Sequence, residues 1–206
     1  MDVLTKIELS DAQITQIEQG QTVMIVAEWD EFIDFLETTT YRAEYYNGHI
    51  IIMGLAKFIQ EALVANFIFI LKTLYRGKGF FVTGSNVGLI KTNERGYHNA
   101  DVLVVKGAPE FWKRSEAIIT NPHMVVEVLS DSTAQYDLNT KRQSYKSFES
   151  LVQIILIDPI ERKIYTSTCT ENPTIWLDNT YTALDETIRI DGFEVAFADI
   201  FENLPS

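Results

Sequence analysis

Cysteine is nearly absent from this chain of 206 residues, which has a single one, Cys169. Cys169 cannot form an internal disulfide, and this favours a reducing compartment. The N-terminus is acidic and polar, so it lacks the charged and then apolar pattern of a signal peptide. The longest predominantly apolar run, Ala62 to Leu71, has about half the length that a membrane span needs. We therefore predict a cytoplasmic protein with no membrane partner.

Several familiar catalytic and cofactor motifs are missing as well. The three histidines, His49, His98 and His123, do not show the spacing of a zinc site with the one cysteine. The segment 77–79 (Gly-Lys-Gly) lacks the frame of a phosphate-binding loop. The segment 84–86 (Gly-Ser-Asn) lacks the pattern of a nucleophile elbow. These absences disfavour zinc, nucleotide-loop and serine-hydrolase chemistry.

Positive charge is scarce, since 17 Lys and Arg face 29 Asp and Glu for a net charge of −12. The balance differs along the chain: residues 1–47 carry 2 basic and 10 acidic side chains, and residues 169–206 carry 1 and 8. The middle, residues 48–168, carries 14 basic and 11 acidic side chains, a net of +3. An acidic frame around a basic centre is compatible with a phosphate-binding cleft, but charge alone favours the alternative, a surface that only keeps the protein soluble.

No repeat, low-complexity tract or linker divides the chain, so we predict one domain over residues 1–206, with residues 1–26 as an N-terminal extension. Apolar spacing predicts an amphipathic helix over residues 27–37 and a long helix over residues 57–75. Its apolar stripe is expected to contain Phe58, Leu63, Phe67, Leu71 and Leu74. Asn47-Gly48 is the strongest local signal for a β-hairpin, because both positions of a type I′ turn need positive φ.

From residue 80 onward the pattern changes to short strands. Two near-continuous apolar runs, 100–105 and 124–129, are typical of strands that are covered on both faces. A helix over residues 137–148 is expected to follow the second run. Further strands are predicted at 80–82, 87–90, 152–157 and 163–167, with short strands or turns in the last forty residues. The fold class is therefore α/β (α+β), a mixed β-sheet flanked by helices.

Three carboxylates stand on apolar strands. Glu127 interrupts the run 124–129, Asp101 opens its strand, and Glu44 lies on the predicted hairpin opposite Ile51. An unpaired buried carboxylate costs several kcal/mol or more, so each of the three needs a partner, and a hard divalent cation is one. The alternative is that these acids face solvent on edge strands.

A lysine falls on the inward stripe of the helix that follows Glu127. Lys141 occupies the position between Leu138 and Tyr145, where an apolar residue is expected. Such a lysine either extends its amine to water or meets a carboxylate. The alternative is a weak pair with Asp137, four residues earlier, on a solvated face.

Several strings occur in the order that one family shows. They are Tyr41-Arg-Ala-Glu44 continuing to Gly48, His98-Asn-Ala-Asp101 continuing to Val105, Pro122 to Ser130, the segment Ser132-Thr133-Ala134 with Tyr136, Asp137, Lys141 and Tyr145, and Ser150-Leu151 with Ile155 to Asp158. Together they resemble the Uma-two group of restriction endonucleases, which belong to the PD-(D/E)XK nucleases. The resemblance covers residues from about 27 to 200.

The resemblance implies a restriction-endonuclease-like core with an N-terminal hairpin, and a metal-dependent endonuclease that hydrolyses DNA. It implies that Asp101 and Glu127 hold Mg²⁺ or Mn²⁺, with the main-chain carbonyl of Val128 as a further oxygen ligand. Glu44 becomes a supporting acid. Lys141 becomes the lysine that positions or deprotonates the attacking water, with DNA as the substrate and a homodimer left open.

Three positions depart from the family pattern. Leu129 stands where the usual lysine follows the second acid, so Lys141 replaces it from the next helix. Ala100 stands where a proline is usual, and Gln60 stands where the long helix commonly begins with a histidine. These departures and the acidic charge keep a second hypothesis open, a catalytically silent module on a nuclease scaffold that binds nucleic acid or protein.

Overall fold

Two six-stranded sheets and one two-stranded hairpin contain the strands of the part of the chain that the structure describes. The structure, a computed structural model, describes residues 7–91, 95–130 and 134–204. The elements in chain order are α1 (Asp11–Glu18), β1 (Val23–Val26), α2 (Trp29–Thr38), β2 (Ala43–Tyr46), β3 (His49–Ile52), α3 (Phe58–Leu74), β4 (Phe80–Gly84), β5 (Gly88–Ile90), β6 (Tyr97–Asn99), β7 (Val102–Lys106), β8 (Ile118–Ile119), β9 (Met124–Val128), a π-helical turn (Tyr136–Lys141), α4 (Arg142–Tyr145), β10 (Gln153–Asp158), β11 (Lys163–Cys169), β12 (Trp176–Tyr181), β13 (Thr187–Ile190), β14 (Phe193–Ala196) and α5 (Phe197–Ile200).

The first sheet has the strand order β1-β3-β2-β6-β5-β8. Its central hairpin, β2–β3, turns at Asn47 and Gly48, whose φ angles of 48° and 78° are those that the Asn-Gly pair predicts. The register places Glu44 opposite Ile51, as expected. Helix α2 covers one face of this sheet, with Phe32 packing against Tyr45 and against Tyr97.

The second sheet has the order β12-β11-β10-β9-β7-β4, and its centre is buried on both faces. On one face, Leu63, Phe67 and Leu71 of α3 pack against alternate residues of β7, β9 and β10. On the other face, Tyr145 and Phe148 pack against the intervening residues of the same strands. Because both faces of β7 and β9 are covered, the sequences of these strands are almost continuously apolar.

The chain passes from the first sheet to the second between β6 and β7. Only Ala100 and Asp101 separate these two strands, so Asp101 stands at the corner where the sheets meet. The sequence predicted one mixed sheet, and the structure has two. Strand periodicity shows that a segment is extended and which side is apolar, but it does not specify the sheet that the segment joins. The predicted fold class, α+β with a mixed sheet and flanking helices, is confirmed.

The helices differ from the prediction in three respects. Phe58 opens α3 but is 78% exposed, so it does not belong to the apolar stripe. The predicted helix over 137–148 is a π-helical turn followed by the short α4, which ends at Tyr145. The N-terminal extension contains α1 and β1, which the periodicity did not reveal. A capping box between Ser10 and Gln13 marks the start of α1.

Helix length bears on the membrane expectation too. Among the described residues, no helix is both long enough and apolar enough to cross a bilayer.

The N-terminal segment docks against the loop before α3 through close backbone contact. Ile17 accepts a hydrogen bond from the main-chain N–H of Leu55 at 3.4 Å. A Cβ on Gly54 would lie 2.3 Å from the main-chain carbon of Gly20 and 2.7 Å from the nitrogen of Gln21. Only glycine fits at position 54, because both neighbouring atoms belong to the backbone and cannot rotate away.

We predict that Gly54→Ala lowers the free energy of unfolding by about 1–3 kcal/mol, the usual cost of overpacking. Gly84→Ala is the matched control, since its Cβ would meet only the Ile68 side chain at 3.8 Å. Urea unfolding of both variants measures the difference. Equal stability of the two variants would show that the N-terminal segment does not dock closely at Gly54.

Candidate active site

A cavity of about 500 Å³ opens where the two sheets meet. Its walls come from the turn after α1, the loop before α3, the first turns of α3 and the ends of β7 and β9. We call it the junction cavity, and its charged lining residues are the five acids Glu18, Glu61, Asp101, Glu127 and Asp137 and the three cations Arg42, Lys57 and Lys141. The lining therefore has two more acids than cations.

Lys141 lies at the base of the cavity and joins the two sheets. Its Nζ is 2.7 Å from Oε1 of Glu44 on β2 and 2.8 Å from Oε1 of Glu127 on β9. A third contact, at 3.4 Å, goes to the main-chain oxygen of Asn99 on β6. The lysine is only 1% exposed, so its ammonium exchanges water for these oxygens. The contact with Glu127 is the one that the apolar stripe and the resemblance led us to expect.

The alternatives for these side chains are wrong in the described structure. Glu44 and Glu127 are buried rather than facing solvent on edge strands. Asp137 lies 3.9 Å from Lys141, but both side chains are buried, so the pair does not lie on a solvated face. The π-helical turn carries both residues at its two ends. Ser132 and Thr133, which belong to the resemblance, lie outside the described residues.

Glu44 is held in its ionised form. Burial alone would raise its pKa, but Lys141, His98 and Arg42 together lower it to about 2. Oε1 also accepts a hydrogen bond of 2.8 Å from the main-chain N–H of Asn99. His98 Nδ1 lies 3.6 Å from Oε2, while its Nε2 lies 2.7 Å from the Ser144 hydroxyl. Glu44 is therefore the permanent counter-charge of Lys141.

Glu127 pairs with the same lysine, but its pKa is raised rather than lowered. Burial raises its pKa, Lys141 lowers it, and the negative charges of Asp101, Asp137 and Glu44 raise it again, to about 8. The hydroxyl of Tyr145 donates a hydrogen bond to Oε1. One ammonium cannot neutralise two carboxylates, and Glu127 is the one surrounded by further acids. Glu127 therefore lacks a full counter-charge.

Asp101 is oriented from both sheets. Arg42, just before β2, donates a hydrogen bond of 2.8 Å to Oδ1, and the main-chain N–H of Val128 donates one of 2.8 Å to Oδ2. Arg42 also donates to the main-chain oxygen of Asn99 at 2.5 Å. Sequence reasoning assigned no role to Arg42. The sequence did contain a signal that Arg42 belongs to the site. Arg42 precedes Glu44 by two residues, and residues i and i+2 lie on the same face of a strand.

The main chain at the end of β9 adds neutral polar groups to the cavity. Pairing with β7 ends at Val102 and Val126, so Val128 lies beyond the ladder. Its N–H points to Asp101, and the carbonyl of an extended residue points to the same side as its N–H. Gln60, at the position of the missing histidine, donates a hydrogen bond of 3.2 Å to the Leu129 oxygen. Gln60 therefore contacts the strand end that carries Glu127.

These groups fit a hard divalent cation by their chemistry. Asp101, Glu127 and the Val128 carbonyl are all oxygen donors on one cavity, and the lining has two more acids than cations. In the described parts of the chain, no three His, Cys, Asp or Glu side chains lie close enough to hold a metal ion together. Two carboxylates and a main-chain oxygen are therefore the set that this site offers.

The fold is shared with a solved protein from Anabaena variabilis ATCC 29413, whose crystal structure is described as that of "a putative nuclease belonging to DUF820". The TM-score is 0.69, and the match covers 84% of this chain and 96% of that one at 16% identity. This likeness shows that the two chains share one fold. The Uma2 family model, described as "Putative restriction endonuclease", matches residues 29–199, and the chain belongs to that family. The resemblance seen in the sequence is confirmed.

A second relative is an uncharacterized protein of Synechocystis sp. strain PCC 6803. It is 29% identical over 128 residues, which cover 62% of this chain and 72% of that protein. Its description adds no activity to the comparison.

We predict that Lys141→Met lowers the free energy of unfolding by about 3–5 kcal/mol, because it strands the ionised Glu44 in the interior. Glu127→Gln, measured with chelator at pH 7, should change it by less than about 1 kcal/mol, because Lys141 keeps Glu44. Adding Glu44→Gln to Lys141→Met should recover much of the loss. Urea unfolding of the four proteins measures these differences. Losses of equal size for Lys141→Met and Glu127→Gln would contradict the unequal roles of the two acids.

Proposed function

We propose that the protein is a divalent-metal-dependent endonuclease that hydrolyses phosphodiester bonds in DNA. The observation that carries this proposal is the meeting of Asp101, Glu127 and Lys141 on one cavity at the junction of two sheets. Membership in the family described as "Putative restriction endonuclease" supports it, since restriction-endonuclease-like families generally use divalent metals. We assign the whole chain, residues 1–206, to this one domain.

Asp101, Glu127 and the Val128 carbonyl would hold Mg²⁺ or Mn²⁺. When bound, the ion would supply Lewis acidity, which acidifies water and neutralises negative charge on a phosphoryl oxygen. The lining has two more acids than cations, and negative charge repels a polyanion, so a phosphate group would enter this cavity only together with a cation. Glu127 must lose its proton to act as a ligand, and its raised pKa makes cation binding tighter as pH increases.

The other side chains position these ligands. Arg42 and the Val128 N–H fix both oxygens of Asp101, which keeps the carboxylate at the sheet corner. Burial lowers the pKa of Lys141, but Glu127, Glu44 and Asp137 raise it well above its usual value. Lys141 therefore stays protonated, and it acts as a hydrogen-bond donor that orients Glu127 and water. It does not act as the base that deprotonates the water.

We predict that nicking of plasmid DNA requires Mg²⁺ or Mn²⁺ and stops with chelator. Asp101→Asn and Glu127→Gln should each lower the cleavage rate at least 100-fold, because each removes a metal-ligand charge. Glu149→Gln, a change of an exposed carboxylate, is the matched control and should leave the rate unchanged. Gel electrophoresis over time measures the rates, with single-stranded DNA and RNA as further substrates. Cleavage without a divalent ion, or full activity in both site variants, would overturn the proposal.

The second candidate is a catalytically silent module that binds nucleic acid or protein. The favouring observation is that Glu44, Asp101 and Glu127 each already have a protein partner within hydrogen-bonding distance. This candidate predicts no cleavage of any substrate and no stabilisation by Mg²⁺. The endonuclease predicts a higher melting temperature with Mg²⁺, and that gain should vanish in Asp101→Asn.

A further inference from the structure

A second charged region lies away from the junction cavity. Between Glu61 and Glu94 the sequence has no acidic residue, yet it has the four cations Lys72, Arg76, Lys78 and Lys91. In a chain with a net charge of −12, this is the longest stretch without an acidic residue. The segment covers most of α3 and continues through β4 and β5.

The fold brings another cation to this segment and surrounds it with aromatic rings. Lys106 on β7 pairs in register with Phe80 on β4, and its Nζ lies 5.7 Å from the ring centre. Phe80 in turn stacks on Tyr75, with ring centres 4.1 Å apart. A second cavity, of about 300 Å³, opens here and is lined among others by Lys72, Tyr75, Arg76, Phe80, Phe81 and Thr83.

Two phenylalanines on this region are exposed. Phe81 is 53% exposed at the cavity, and Phe69 is 72% exposed on α3, three residues before Lys72 and seven before Arg76. Phe69 and Lys72, three residues apart, share one face of α3, while Arg76 lies in the turn that follows the helix. We define the α3 C-terminal surface as Phe69, Lys72, Arg76, Lys78, Phe81 and Lys106.

Asp191, an acid beside this region, already has partners. Asp191 Oδ2 accepts a hydrogen bond of 3.0 Å from the Tyr75 hydroxyl and lies 2.9 Å from Nε2 of His123. Its charge is thus directed inward, while Lys72, Arg76, Lys78 and Lys106 are exposed. The surface presents cations and aromatic faces to the solvent together.

We propose that the α3 C-terminal surface binds single-stranded nucleic acid. Phosphates would contact Lys72 and Arg76, and a base would stack on Phe81. Exposed rings between cations favour a single strand over a duplex, because only unpaired bases offer their faces for stacking. The ends of α3 are about 25 Å apart at 1.5 Å per residue, so this surface is separate from the junction cavity beside Gln60. The proposal stands independently of the endonuclease activity.

The test measures fluorescence anisotropy of a labelled 20-nucleotide oligothymidylate with the full chain, in chelator and across a salt series. Neutralising two phosphate contacts with Lys72→Gln and Arg76→Gln together should weaken binding at least tenfold. The slope of log K against log salt should become shallower by about 1.4. Phe81→Ala should weaken binding roughly tenfold without changing that slope. Lys113→Gln with Arg114→Gln, and Phe111→Ala, remove similar exposed groups elsewhere and should have little effect.

Three results would overturn the proposal. They are no binding by the wild type at 50 mM salt, equal losses in the two double variants, and tighter binding of a duplex than of the single strand with Phe81→Ala unchanged. Circular dichroism and melting temperatures show whether each variant is folded. Because the assay contains chelator and measures no cleavage, its outcome is distinguishable from success or failure of the endonuclease proposal.

Discussion

The arrangement of the two sheets depends on the ion pairs of one buried group, the ammonium of Lys141. It contacts Glu44 from the first sheet and Glu127 from the second, at 2.7 and 2.8 Å. A buried charge costs several kcal/mol unless its partners are well placed, so both sheets must be in their native positions before the lysine is stabilised. One lysine therefore fixes the relative position of the two sheets and also pairs with two acids of the site.

Arg42 repeats the arrangement at the mouth of the same site. It precedes β2 of the first sheet and binds Asp101, which in turn accepts a hydrogen bond from Val128 of the second sheet. Two cations therefore connect the sheets, and both do so through the carboxylates that the proposed function needs. The junction cavity has more acids than cations, and the negative charges around Glu127 raise the pKa of its carboxyl group.

Local pattern was sufficient for much of this structure. The Asn-Gly turn fixed the register that places Glu44 opposite Ile51, and apolar runs located β7 and β9 with the acids beside them. Lys141 was found because a cation on an apolar stripe needs a partner. These predictions succeeded because each depends on residues close together in sequence.

The parts that sequence missed depend on distant contacts. The division into two sheets depends on which strands pair across long separations, and periodicity carries no such information. The contact of Arg42 with Asp101 joins residues 59 apart. The N-terminal wall of the junction cavity depends on the backbone approach at Gly54, which only the folded geometry reveals. The π-helical turn at Lys141 likewise has no simple periodic signature, although such turns are often found at functional sites.

Anomalous diffraction from crystals soaked in Mn²⁺ tests most directly whether the two carboxylates form a metal centre. We predict a peak in the junction cavity within coordination distance of Asp101, Glu127 and the Val128 carbonyl, and its loss in crystals of Asp101→Asn. The proposed metal centre would be contradicted if the wild-type cavity showed no peak at saturating Mn²⁺. Asp101 would then still be bonded to Arg42, and Glu127 to Lys141. The buried charges would then be structural ion pairs.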